Sequence, residues 1–364
     1  LSDAPRVAVV GGGIAGLSIA WELGRLGAAV TLLRSDRPPT SMVAAGMLAP
    51  MPEALGARGL MLLATEALRH YPSFLESLGE DTAREPGFVR CGVLRLAHSA
   101  DGVAALREEV GSYEAAGMPS QWLEPRSARE LAPGLPESVA GALFSFDEAQ
   151  VQPEWLLAAL EEAAFRRGVD LGAGDVTRVE PRPSGVAVHL RDGRVLEADR
   201  AVVAAGSWTS ELTRTVPVRP VKGQLLVFRG ARGPRPIVYS DHDYLLTKPD
   251  GAVLLGATME EAGFSLEPDG AGRALREVLP TLWPALATTS AETRVGLRPA
   301  TPDGLPVAGA VPGLPAVYAF TGHFRNGFLL APHGAHMAAL EILEGRAQDL
   351  LSPLRPGRFQ PAPA

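Results

Sequence analysis

Arg6-Val7-Ala8-Val9-Val10-Gly11-Gly12-Gly13-Ile14-Ala15-Gly16 is the stretch that decides the fold. A short β-branched run ends in glycines, Ala15, Ile19, Leu23 and Leu26 then recur at helical spacing, and Ala29 to Leu33 is a second apolar run. Strand, glycine turn, helix and strand within about thirty residues form the setting that a dinucleotide fingerprint requires. The glycines have separate jobs. Gly11 makes the tight turn, Gly13 lets the backbone approach a pyrophosphate, and Gly16 lets helix and strand pack closely. Phosphates would sit on the helix N-terminus at Ile14 and Ala15, where free amides and the helix dipole favour anions.

The end of the second strand departs from the pattern. An acid for the adenosine ribose is expected there, and the sequence reads Leu33-Arg34-Ser35-Asp36. Two readings stay open: Asp36 reaches the ribose from two residues on, or Arg34 contacts the adenine face or a phosphate, as arginine does when NADP is bound.

Downstream, Leu60 to Leu78 and Glu154 to Arg167 read as helices, and Phe88 to Leu96 alternates like a strand. Gly185 to Leu190 alternates, turns at Asp192-Gly193 and returns through Val195-Leu196, a hairpin signal. Ala201-Val202-Val203-Ala204-Ala205-Gly206 is apolar on both faces and ends in glycine, as a buried parallel strand does where its tip meets a ligand. A second hairpin runs from Tyr244 through Asp250-Gly251 to Leu255, and a last long helix begins near Asn326. Nucleotide-binding pieces at the start, middle and end, separated by strand-rich inserts, imply two interleaved domains. The expected division puts 1–84, 150–215 and 295–364 in the nucleotide-binding domain, and 85–149 and 216–294 in a substrate domain.

A chain of 364 residues with 46 % hydrophobic and 21 % charged residues can build two such cores. A net charge of -7 and a pI near 5.6, with no basic block, argue against nucleic acid and anionic membranes and point to a small partner. Cys91 is the sole cysteine, so an intramolecular disulfide and a cysteine-based metal cluster are ruled out. With no apolar leader before Arg6 and no membrane-length apolar run, a cytoplasmic setting is expected. His98, His189, His333 and His336 show no metal-ligand spacing with acids, so no metal is expected. Only Lys222 and Lys248 are lysines among 34 basic residues, a bias that fits GC-rich coding or heat adaptation.

Asn326 is the only asparagine, in Gly322-His323-Phe324-Arg325-Asn326-Gly327. That segment is glycine and polar first and apolar afterwards, a loop running into a helix N-terminus. Together with Ala44-Ala45-Gly46-Met47-Leu48, Val221-Lys222-Gly223, Gly256-Ala257-Thr258-Met259 and Gly296-Leu297-Arg298-Pro299, it gives the chain its likeness: it resembles FAD-dependent amine oxidases of the D-amino-acid oxidase type, and glycine oxidases of thiamine biosynthesis above all.

The resemblance covers nearly the whole chain. It implies an α/β (α+β overall) fold, with a Rossmann-type FAD-binding domain interleaved with a strand-rich antiparallel substrate domain. FAD would be held without a covalent bond. Its contacts would come from Gly11, Gly13, Ile14, Ala15, Gly16, Arg34, Ser35, Ala44, Ala45, Gly46, Met47, Val176, Ala205, Gly206, Trp208, Arg298, Gly322, His323, Arg325, Asn326 and Gly327. Arg298 would hold the substrate carboxylate with two parallel N–H bonds, helped by Tyr244 and Arg325, with Met47 narrowing the pocket and His242 nearby. The implied reaction is hydride transfer from Cα of glycine to flavin N5, with O2 as acceptor. The implied assembly is a homotetramer. Rival readings are an oxidase or dehydrogenase for sarcosine or D-amino acids, a flavin-binding protein without turnover, and, from Arg34, NADP binding.

Overall fold

The computed structural model describes residues 4–54 and 58–360, so the last four residues of the proline-rich tail lie outside it. Arg6–Val10 runs through the middle of a six-stranded sheet, with Ala29–Arg34 and Arg200–Val203 parallel to it on either side. Asp170–Ala173 extends the sheet past Ala29–Arg34. Leu314–Thr321 and an antiparallel edge strand, Val307–Val311, complete the other side.

Side chains alternate across a strand, and this central strand is buried on both faces. Val7 and Val9 join Trp21, Leu160 and Leu330 beneath the helices Ile14–Arg25, Pro153–Arg166 and Gly327–Glu344. Ala8 and Val10 pack instead against Val179, Val186 and Val188 of a three-stranded antiparallel sheet built from Val176–Arg182, Gly185–Leu190 and Val195–Ala198. The hairpin expected at 185–196 is the outer part of that sheet. The helices expected from Leu60 and Glu154 are Arg58–Asp81 and Pro153–Arg166, the latter opening on proline, whose missing N–H costs nothing in a first helical turn.

The run read as one strand over 88–96 is two. Val89–Arg90 and Val93–Ala97 are broken by Gly92, whose φ of +70° turns the chain and whose missing Cβ leaves room for Phe144. The first piece pairs in a small sheet with Ala149–Gln150, which also holds Met47–Leu48. The second enters an eight-stranded sheet that also contains Arg219–Phe228, Asp243–Thr247, Val253–Gly256 and Glu292–Ala300. One face of this sheet is covered by Leu275, Leu279, Trp283 and Leu286. The other turns Tyr239, Tyr244 and Leu225 toward Ala45, Ala49 and Met47.

Arg219–Phe228 and Glu292–Ala300 pair antiparallel along their length, from Arg219 opposite Ala300 to Val227 opposite Glu292. Glu292–Ala300 thus runs as one strand across position 295, where a domain boundary was expected, and Arg298 stands on this edge strand of the eight-stranded sheet.

Candidate active site

At the tip of Arg6–Val10 the backbone of Gly11 adopts φ +121° and lies against the Ala204 carbonyl, where a Cβ would collide. A Cβ on Gly16 would collide with the carbonyl of Gly11, so strand and helix touch through backbone alone. Gly13 is the N-cap residue of helix Ile14–Arg25 and offers no side-chain cap. Ser41 acts in its place, its Oγ accepting from the Ile14 amide at 3.0 Å. The first amides of a helix have no partner within it, and the dipole puts partial positive charge there.

A cleft of about 420 Å³ opens on this terminus. Gly11, Gly13, Ile14 and Ala15 line its floor; Arg34, Ser35, Val176, Ala205, Gly206 and Trp208 line one end; Ala44, His323, Arg325 and Gly327 line the other. Arg34 pairs with Glu161 across the cleft, Nη2 to Oε1 2.9 Å, whereas Asp36 is exposed and off its lining. Trp208 carries the guanidinium of Arg37 over its ring, 5.0 Å from the centroid. Burial pushes the His323 imidazole down to about 4, so it is neutral at physiological pH.

A second cavity of about 80 Å³ adjoins the first, sharing Thr40, Ala44, Phe324, Arg325 and Phe328 with it. It is bounded by Ala45, Gly46, Met47, Tyr244 and Arg298. With about 30 Å³ of liquid volume per water molecule, it has room for only a few heavy atoms. Arg298 donates from Nη1 to the Thr258 carbonyl at 2.9 Å, and no carboxylate among the described residues pairs with it. Burial lowers its pKa and the nearby Arg325 adds to this, but a guanidinium keeps its charge near neutrality. Tyr244 is fully buried beside it, and burial raises its phenol well above the usual range. Gly223 and Gly256 make room for these two groups, since a Cβ on either would collide with the guanidinium or the phenol.

Arg325 is fixed from behind. Its Nε lies 2.9 Å from Glu53 Oε2, its Nη2 donates to Glu53 Oε1 at 2.9 Å and to the Tyr239 hydroxyl at 2.6 Å, and Tyr239 itself donates to Glu53 at 2.6 Å. Phe324, the residue before it, holds a left-handed φ of +47°, a conformation that non-glycine residues keep only where surroundings impose it. The Phe324 amide donates to the Pro299 carbonyl at 3.1 Å, tying this loop to the strand of Arg298. The loop ends at Asn326, N-cap of helix Gly327–Glu344, whose N-terminus points where the two cavities meet.

Four expected residues lie off both linings. Gly16 acts beneath the turn. Gly322, at φ +72°, turns the chain out of Leu314–Thr321 against Thr301. Asn326 is buried, its backbone bonded to His323 and Leu330, and its side chain caps nothing. His242 is exposed in the turn before Asp243–Thr247, so the strand alternation that would align it with Tyr244 does not reach it. Residues that the motifs did not reveal are Thr40, whose Oγ1 donates to the Leu297 carbonyl at 2.8 Å, Ser41, Glu53, Tyr239 and Glu161. Lys248 also belongs here: its buried ammonium donates to the carbonyls of Ala45 and Val151 at 2.7 and 2.6 Å. Most of these contacts join residues more than a hundred positions apart, so local pattern carries no sign of them.

A glycine turn on a helix N-terminus, a long cleft and a small cationic cavity at its end describe a dinucleotide beside a small anion. Residues 6–340 match the DAO family model, FAD dependent oxidoreductase. The chain belongs to the DAO family of FAD-dependent oxidoreductases. Within this family it is 33% identical, over 97% of its length, to the bifunctional protein ThiO/ThiG of Trichormus variabilis, covering 55% of that protein. It thus spans about half the length of the bifunctional relatives it matches. It is 30% identical to glycine oxidase of Geobacillus kaustophilus, with 90% of this chain and 89% of that protein aligned. The crystal structure of glycine oxidase from Geobacillus kaustophilus superposes with a TM-score of 0.89 at 28% identity, covering 97% of this chain and 98% of that one.

The residues present fit the family's FAD. Gly13 brings no side chain over the helix N-terminus, so a pyrophosphate can approach it beside the Ser41-capped Ile14 amide, the cleft is long and mainly apolar, and at its far end the neutral His323 leaves the positive charge to Arg325. No helix among the described residues is long and apolar enough to cross a membrane, and none of their His, Cys, Asp and Glu side chains form a group of three able to hold a metal ion.

Proposed function

We propose that this chain is an amino-acid oxidase of the glycine oxidase type, acting on glycine first and on sarcosine or small D-amino acids second. The observation that carries this reading is the small cavity bounded by Arg298 and Tyr244 at the end of the FAD cleft. Arg298 is a part-buried cation on the cavity lining with no acid partner among the described residues, so an anion entering the cavity would meet it unpaired. It receives the substrate carboxylate in a forked pair of N–H bonds, and the Tyr244 hydroxyl donates to the same group. Met47 closes the side and limits what can follow Cα.

Held along the cleft by the glycine turn at Gly11 to Ala15 and by the loop at His323 to Gly327, FAD would supply the two-electron acceptor for the Cα hydride and a route for that pair to O2. The chain's own contribution is position. It holds the carboxylate at Arg298 so that a Cα–H bond faces the adjoining cleft, and it excludes water from a cavity only a few atoms wide. No side chain in the cavity is a base, so the substrate amine must already be neutral, and the rate should rise with pH through one ionisation. Glycine, O2 and water would give glyoxylate, ammonia and hydrogen peroxide by way of an imine. Likeness to ThiO/ThiG proteins supports a role in supplying that imine for the thiazole of thiamine. The assembly and location that accompany this reading are a homotetramer in the cytoplasm, and light scattering on the purified protein tests the first.

The direct test is the visible spectrum of the flavin-loaded protein before and after adding glycine without air. Bleaching that reverses when air enters supports a glycine oxidase. A band that glycine leaves intact, but sarcosine or D-alanine bleaches, would move the substrate. A band that no amino acid bleaches would leave a flavin-binding protein without turnover.

A further inference from the structure

Charges around the small cavity can be counted. Among the described residues Arg298 and Arg325 are the only charged side chains on its lining, and both face the same few atoms of space. Arg298 has no carboxylate partner among the described residues, whereas Arg325 is held by Glu53, whose side chain is 4% exposed and lies behind Arg325, off the lining. Two cations and one anion leave a single positive charge, enough for one carboxylate.

We propose that Glu53 determines specificity by setting this count at one, so that the cavity accepts monocarboxylates and rejects dicarboxylates. The proposal rests on the amino-acid oxidase reading above and adds the charge class of its substrate. The geometry favours this over a purely structural pair. Glu53 takes both the Nε and the Nη2 of Arg325 and Tyr239 accepts from the same Nη2, so a ligand is left with Nη1 alone and no two-nitrogen fork, and Tyr239 ties the pair together through a bond to each. Arg325 is then a wall of the cavity whose charge is spent, and Arg298 is the open site. A ligand with a second carboxylate would have to compete with Glu53 for Arg325 or bring an unmatched negative charge into a desolvated space, and either is a repulsive element of the kind that enforces selectivity.

Glycolate and oxalate differ little in size and by one charge, and binding of each to the oxidised, flavin-loaded protein can be followed by the shift of the flavin spectrum. In the wild type glycolate should bind more tightly than oxalate. Glu53→Gln should move the ratio of the two dissociation constants at least tenfold toward oxalate, and the double variant Glu53→Gln with Arg325→Gln, which restores the count, should return it to the wild-type value. Parallel weakening of both anions in Glu53→Gln, with the ratio unchanged, would show a packing role only and overturn the proposal. Oxalate preferred by the wild type, or no binding of either anion, would overturn it as well. If Glu53→Gln fails to retain flavin, Arg325→Gln reads the same count: the cavity then has no net charge, and oxalate must lose at least tenfold more affinity than glycolate. Equal losses there refute it. Reduction of the wild-type flavin by glycine is scored separately, so failure of the substrate and failure of the charge count are distinct results.

Discussion

Gly223 and Arg298 stand on neighbouring antiparallel strands, one diagonal step apart, with Val221 opposite Arg298 and Gly223 opposite Gly296. The guanidinium folds back over Gly223 so closely that a Cβ there would collide with it. Gly223→Ala should therefore displace the cation of the cavity that has no carboxylate partner among the described residues, without touching the core. The loss expected is that of a hydrogen bond to a charged group, about 1.5–3 kcal/mol, or roughly ten- to a hundredfold in affinity. Glycolate titration and steady-state kinetics should show this in the dissociation constant and the apparent KM, with flavin content unchanged. Wild-type affinity in the variant would mean that the guanidinium has other equivalent positions.

Gly16 and Gly111 form a contrast within one chain. Gly16→Ala would set a methyl group into the Gly11 carbonyl, and backbone there cannot yield as a side chain would. It should cost more than the ~1–3 kcal/mol typical of overpacking and release flavin. Gly111 lies in helix Ala100–Ala115 with open space where its Cβ would be, so Gly111→Ala should stabilise by about 0.5–1 kcal/mol through helix propensity alone. Thermal melts and the ratio of flavin to protein absorbance check both. Equal effects would remove the special role given to Gly16.

This contrast also marks what could be read from the residues alone. Gly11, Gly13 and Gly16 were legible because a dinucleotide turn is local: strand, glycines and helix follow one another within a single unit, and each glycine has a backbone reason visible in the spacing. That Arg298 and Tyr244 share one cavity was legible only through resemblance, since nothing about an arginine on an edge strand announces such a neighbour. Glu53 and Tyr239 could not be found by either route. The first sits on a five-residue helix, the second on strand Ile237–Ser240 of the eight-stranded sheet, and each acquires meaning only when the fold brings Arg325 to both. His242 failed for a smaller reason, a strand starting one residue later than alternation assumes.

Cys91 should be chemically silent in the folded protein. Burial pushes its thiol up to about 11, with only partial relief from Gln150 and the Ile237 backbone. At pH 8 roughly one molecule in a thousand would then carry a thiolate, the form that reacts. Ellman's reagent should find almost no thiol in the native protein, and one per chain after denaturation, because Cys91 is the sole cysteine. Rapid, complete labelling of native protein near pH 8 would show that the site opens to solvent.

Lys248 links stability to pH in a direction that can be worked out. Its amine is buried against two carbonyls, those of Ala45 and Val151, with no carboxylate paired to it among the described residues. Burial pulls its pKa from 10.5 down to about 7. Unfolded, the amine holds its proton up to about pH 10; folded, it gives it up near pH 7. Between those limits the unfolded state binds the extra proton, so Lys248 disfavours the native state most below about pH 7, and this penalty fades as pH rises through the window. Lys248→Met removes the titration and adds a nearly constant cost, since two buried carbonyls lose their donor at about 1–3 kcal/mol each. The wild type should therefore gain melting temperature relative to Lys248→Met as pH rises from about 7 toward 10. A difference that stays flat over that range would mean the ammonium remains charged in the fold, and the carbonyl of Ala45 beside the cavity would then be held by a permanent cation.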